Sequence, residues 1–145
     1  MRTARYILVL LLFTAGIAGA VAPNFADMAV LLAKGYFGNY VKRDAPLERC
    51  AMFLNGKGVS FSLFDLVDPN KAVTREDLAR AVGQSMLLFS GEAEVVNGRI
   101  KKPLEAETWV DYCLLNDIDL NPIWNGFVRC TAEGNLPEVR KFFKR

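Results

Sequence analysis

Glu107 and Asp111 stand four residues apart, a spacing that sets two carboxylates on one face of a helix. Paired carboxylates can hydrolyse a glycosidic bond, one acting as acid and the other as base or nucleophile. Other catalytic equipment is scarce. The 145 residues include no histidine. That excludes Ser-His-Asp and Cys-His nucleophiles, histidine proton shuttles and every histidine-containing zinc or iron site. Gly83-Gln84-Ser85-Met86-Leu87 lacks the second glycine of a nucleophile elbow, and Ser85 falls in mid-helix. There is no phosphate-cradling glycine loop, dinucleotide fingerprint or Asn-x-Ser/Thr acceptor. The residues specify no catalytic constellation, metal site or cofactor.

Two segments approach a calcium loop. With Asp68 at loop position 3, Asn70 takes position 5, Val73 position 8 and Asp77 position 12. Position 1 is then Leu66, Lys71 replaces the turn glycine, and Asp77 is shorter than the bidentate Glu such loops use. A lysine in the middle of the loop opposes a cation. The second segment, Asp117-Ile118-Asp119-Leu120-Asn121, continues into Pro122 at position 6 and Val128 at position 12. Both segments read better as capped helix starts.

Cys50, Cys113 and Cys130 each sit among apolar residues at helical spacing. In an oxidising compartment two can pair and leave one over, with three connectivities open. The simpler expectation is three small buried hydrophobes. No CxxC pair exists, so thioredoxin-like redox chemistry has no support. The aromatic residues Tyr36, Phe37, Tyr40 and Tyr112 are the candidate interaction residues, as an exposed aromatic patch would serve a partner.

The compartment follows from the N-terminus. Arg2 and Arg5 form a positive region, an uncharged stretch runs from Tyr6 to Ala22, and small residues cluster at Ala18-Gly19-Ala20. That is the order of a secretory signal peptide, with cleavage expected after Ala20. The rival is a retained anchor, with residues 6–22 at the lower length limit for spanning a bilayer. Either way the rest of the chain lies outside the cytoplasm, in the periplasm, envelope or medium. Removing Arg2 and Arg5 leaves sixteen basic against sixteen acidic residues. A globally basic nucleic-acid binder is therefore not expected. The charges are uneven: residues 104–121 hold Glu105, Glu107, Asp111, Asp117 and Asp119 and no base, while Arg140, Lys141, Lys144 and Arg145 close the chain.

The elements that carry these residues are mostly helical. Asn24 caps a helix expected over 24–41, with Phe25, Met28, Ala29, Leu32 and Tyr36 in phase. Pro46 opens a second helix at its first position, ended by Gly56 and Gly58. Phe61, Leu63, Phe64, Leu66 and Val67 are too apolar to leave exposed and read as a short helix or buried turn. Thr74-Arg75-Glu76-Asp77 has the form of a capping box before a helix carrying Leu78, Ala81, Val82, Ser85 and Phe89. Asn97-Gly98 predicts a type I′ hairpin packed through Val95 or Val96 and Ile100. Ala106, Trp109, Val110, Cys113 and Leu114 trace another helix, and Asn121-Pro122 starts one with Trp124, Phe127, Val128 and Thr131, stopped by Gly134. Their short connection sets the stripes of Trp109 and Trp124 on a common core. Pro137 opens a last short helix.

The fold expected is mainly α: a compact bundle of about six to seven short helices with one small β-hairpin near residues 93–101. Residues 1–20 form the signal peptide or anchor, and residues 21–145 one helical domain. Pro46-Leu47-Glu48 and Pro103-Leu104-Glu105 raise a duplicated helical unit of about 57 residues.

Pro69-Asn70-Lys71-Ala72-Val73-Thr74-Arg75-Glu76-Asp77-Leu78-Ala79-Arg80-Ala81 resembles the Thr-Arg-rich stretch of S-layer homology repeats. Those helical units bind cell-wall polymers in bacterial envelopes, so the resemblance implies an envelope-binding role. It covers a small part of the chain, and the aromatic and glycine landmarks expected upstream are out of register. The function expected is an exported, non-enzymatic helical domain in protein–protein or cell-envelope contacts. The alternatives are a membrane-anchored accessory subunit that keeps residues 6–22 as a helix, and a small carboxylate-dependent hydrolase. The expected partner is a protein or envelope component, with no nucleic acid, and with membrane only where the N-terminal segment is kept.

Overall fold

The structure is a computed structural model that describes residues 22–134. The N-terminal segment before Ala22 and the helix expected after Pro137 lie outside the described residues. Six helices and one two-stranded hairpin follow in order: α1 (Phe25–Tyr36), α2 (Leu47–Lys57), α3 (Leu63–Val67), α4 (Arg75–Ser90), β1 (Val95–Val96), β2 (Arg99–Ile100), α5 (Trp109–Leu115) and α6 (Leu120–Glu133). The fold is mainly helical, as the periodicity predicts.

Helix α1 is the hub. Met28, Ala29, Leu32 and Ala33 are fully buried, and α2, α3, α4 and α6 all pack against it. Its start is set by Asn24, whose Oδ1 accepts the Asp27 backbone N–H at 2.9 Å. It ends at Tyr36, five residues short of the expected end. The chain turns at Phe37, whose carbonyl accepts from Tyr40 and Val41 at 2.8 and 2.9 Å. That turn swings Phe37 inward, where its ring meets Phe53 and Phe89 at 5.2 and 5.1 Å. Tyr36 meets Phe89 at 5.8 Å.

Helix α4 is fixed at both ends. Thr74 and Asp77 form the reciprocal capping box the sequence predicts, and Gly91 closes the helix in the left-handed conformation. An identical box, Thr108 with Asp111, starts α5. Helix α5 packs on α4, while α6 reaches α1 and α4. Trp109 and Trp124 are thus half-buried rims of one core. They are not the fully enclosed residues their stripes suggest.

Asn97 and Gly98 both take positive φ, at 51° and 75°, and pair Val95 with Ile100 in the hairpin. Only Ile100 is buried; Val95 and Val96 stay exposed. Ile100 locks onto the turn after α2: its N–H donates to the Gly58 carbonyl at 2.9 Å. A Cβ on Gly58 would lie 2.8 Å from Ile100 Cγ1, and its φ of +89° already favours glycine.

The duplicated unit is not seen. Pro46 precedes the eleven-residue α2, but Pro103 opens only a turn, with the Ala106 N–H donating to the Pro103 carbonyl. The cap at Thr108 delays the helix until Trp109.

Candidate functional site

The carboxylates come first. Because α5 starts after Thr108, Glu107 lies before the helix and the expected shared face does not form. Asp111 is spent as a cap: its Oδ2 accepts the Thr108 N–H, and its own N–H donates to Thr108 Oγ1, both at 3.1 Å. Four acids in or beside the two calcium-like segments are engaged by local partners. Asp77 accepts from Thr74, Asp68 accepts the Asn70 N–H, Asp65 pairs with Lys71, and Asp119 accepts the Asn121 N–H. Among the described residues no group of three acids or cysteines is placed to hold a metal.

Cys50, Cys113 and Cys130 are all buried. Cys113 Sγ lies 3.7 Å from the Ala79 carbonyl, inside the α4–α5 contact. Burial, reinforced by Glu76, pushes its thiol up to about 12. Burial also raises the Cys50 thiol, against a smaller opposing pull from Lys34. Neither is a ready nucleophile.

The proposed aromatic patch needs correcting. Tyr36, Phe37 and Tyr112 are buried, and only Tyr40 is exposed, at 71%. The rings of Tyr36 and Phe37 fill the space between α1, α2 and α4, and the edge of Tyr112 meets Trp109 at 5.7 Å. Burial accordingly raises both tyrosine hydroxyls above their ordinary range.

A different surface takes its place. Leu66 alone of the α3 residues turns into the core, leaving Leu63, Phe64 and Val67 at 71%, 84% and 68% exposure. One short helix cannot bury four large apolar side chains that point to two sides. Opposite this ridge, α2 presents Met52, 75% exposed. Between them lies an open groove of about 490 Å³, floored by Ala51, Phe61 and Leu66 and edged by Met52, Leu63 and Val67. Neighbouring depressions along Arg49 and Phe53 continue it toward Tyr40, whose ring stacks on Phe53 at 6.1 Å. Five of the eleven large apolar side chains exposed among the described residues, Tyr40, Met52, Leu63, Phe64 and Val67, therefore lie on the α2–α3 side.

The groove is held by a polar strut. Gln84, buried on α4, donates to the Ile100 carbonyl at 2.9 Å and accepts the Ser60 N–H at 3.2 Å. Arg80 donates to the same Gln84 oxygen at 2.9 Å, with its guanidinium 5.5 Å from the Phe61 ring. Burial lowers the Arg80 pKa from its ordinary value, and the guanidinium remains the charged partner of neutral oxygens. The loop 58–61 is thereby clamped between α4 and the hairpin, which fixes Phe61 under the groove. A glutamine in an apolar helical face gives the sequence no sign of this partner set.

No known protein family, curated protein or solved structure matches this chain, the S-layer homology repeats that residues 69–81 resemble included.

Proposed function

We propose that the protein is an exported, non-enzymatic helical domain that makes protein or cell-envelope contacts through its α2–α3 face. The observation that supports this reading is the exposed ridge of Leu63, Phe64 and Val67 facing Met52 across an apolar groove. Contiguous apolar surface of this kind is costly in water and marks a contact site. The ordered basic, apolar and small residues at the N-terminus favour export. The capped acids and high-pKa thiols leave binding as the chemistry the described groups are best suited to.

Fractionation of producing cells tests the reading. Wild-type protein should partition with the envelope or a partner complex. The triple variant Met52→Ser, Leu63→Ser, Val67→Ser should keep its helical circular dichroism and move to the free exported pool. An unchanged distribution of the folded variant would refute the face as the working surface.

A further inference from the structure

We infer that the occupant of the α2–α3 face is an anionic lipid bilayer surface; this rests on the reading of that face as the contact site. Three observations favour a bilayer over a protein groove-binder.

The first is where the chain comes from. The described residues start at Ala22, the last residue of the uncharged stretch 6–22. That starting point is fastened next to α3. The Val73 N–H donates to the Pro23 carbonyl at 3.0 Å, and Asn24 bridges Ala72. Lys71, one residue earlier, pairs with Asp65 of α3 and sits 5.4 Å over the ring of Phe25, the first residue of α1. Where residues 6–22 are kept as a membrane anchor, that anchor delivers the α3 ridge to the membrane within a few residues of the point where the chain leaves it.

The second is shape. Phe64, the most exposed of the ridge residues, projects beside the groove and does not line it. A partner helix seated in the groove would leave that ring in water. A bilayer interface takes up ridge and groove together, with aromatic and aliphatic side chains immersed to the headgroup level.

The third is charge. Residues 40–71, which carry α2, the groove and α3, hold Lys42, Arg43, Arg49, Lys57 and Lys71 against Asp44, Glu48, Asp65 and Asp68. The stretch 104–121, which supplies α5 and its connections, carries five acids and no base. An anionic surface repels the second stretch and not the first, so it orients the domain with α2 and α3 down.

The test uses the protein as purified from its producing cells and a Phe64→Trp variant. Vesicles of phosphatidylcholine, with and without phosphatidylglycerol, are the probe, and bromination of the acyl chains is the quencher. The added indole emission should shift to the blue on anionic vesicles and be quenched by bromolipid. Leu63→Ser with Val67→Ser should bind those vesicles about tenfold more weakly. Emission at position 64 that stays at its free-protein wavelength and is unquenched overturns the inference. If the serine substitutions still displace the protein from the envelope in that case, the face is a contact site for a protein and the bilayer is excluded. A sedimentation shift from dimer to monomer in the same variant would identify a second copy as the occupant and equally overturn the proposal. Failure of both the vesicle and the envelope assay rejects the face itself.

Discussion

The Glu76 carboxylate, on the first turn of α4, accepts the backbone N–H of Trp109 at 2.7 Å and that of Val110 at 3.1 Å. A carboxylate thirty-three residues away thus satisfies two of the orphan donors at the start of α5 and places negative charge at the positive end of its dipole. Together with the Thr108–Asp111 box, this gives a seven-residue helix a doubly capped beginning. Glu76→Ala should cost about 1 kcal/mol of stability, within the range of about 0.5–2 kcal/mol for lost caps. A urea melt measures it, and a cost below about 0.3 kcal/mol would show that the Thr108 box suffices alone.

Gly83 is the contact point of α4 with α5. A Cβ there would lie 2.6 Å from Trp109 Cε3 and 3.1 Å from Tyr112 Cδ1. Gly83→Ala should therefore destabilise by about 1–3 kcal/mol, despite alanine's better helix propensity. Trp109→Leu should recover part of the loss by making room. A stabilised Gly83→Ala protein in chemical denaturation would show that the two helices separate at no cost.

The sequence made the helices legible through caps and phase. Asn24, Thr74, Gly58 and Gly134 sit at the boundaries their chemistry requires, and Asn97-Gly98 forms the hairpin turn. What it concealed was which polar groups meet across the fold. Glu76 looked like part of a capping box, while its carboxylate serves another helix. Gly83 looked like a fragment of a motif, while its missing Cβ admits an indole ring. The α3 segment is the short helix its apolar residues predict, but its burial differs because periodicity describes a face and not its neighbours: five helical residues supply one inward position, Leu66. The working surface was illegible for the same reason, since exposed apolar residues look in sequence like core residues.

Alkaline pH should destabilise the protein, with Cys113 one of the groups responsible alongside Cys50 and the buried tyrosines. The folded chain holds the Cys113 thiol proton up to about pH 12, against an ordinary thiol value of 9.0. Between those values the unfolded state binds fewer protons, so stability falls as pH rises, by at most about 1.4 kcal/mol per pH unit for this group. Urea midpoints measured from pH 8 to 10.5 should decline, and Cys113→Ala, though less stable, should decline less steeply. Parallel slopes in the two proteins would show that Cys113 does not contribute.

Gln84→Leu should loosen the strut beneath the groove. The substitution leaves the Ser60 N–H and the Arg80 guanidinium short of the oxygen they share, at a cost of about 1–3 kcal/mol. Hydrogen exchange should accelerate at Ser60 and Ile100 more than at the centre of α1. Uniform acceleration would mean that the effect is global and the strut carries no local role.

The contact face contains its own chemical probe. Met52 is 75% exposed on the edge of the groove, whereas Met28 in the core of α1 has no exposure. Peroxide oxidises accessible methionine to the sulfoxide, so peptide mass spectrometry reads the cover over each residue. In protein released into solution, Met52 should oxidise fast and Met28 slowly. In protein left on its native envelope or partner, Met52 should be protected to the level of Met28. Equal oxidation of Met52 in the free and the bound protein would contradict the assignment of the α2–α3 face as the surface through which this domain acts.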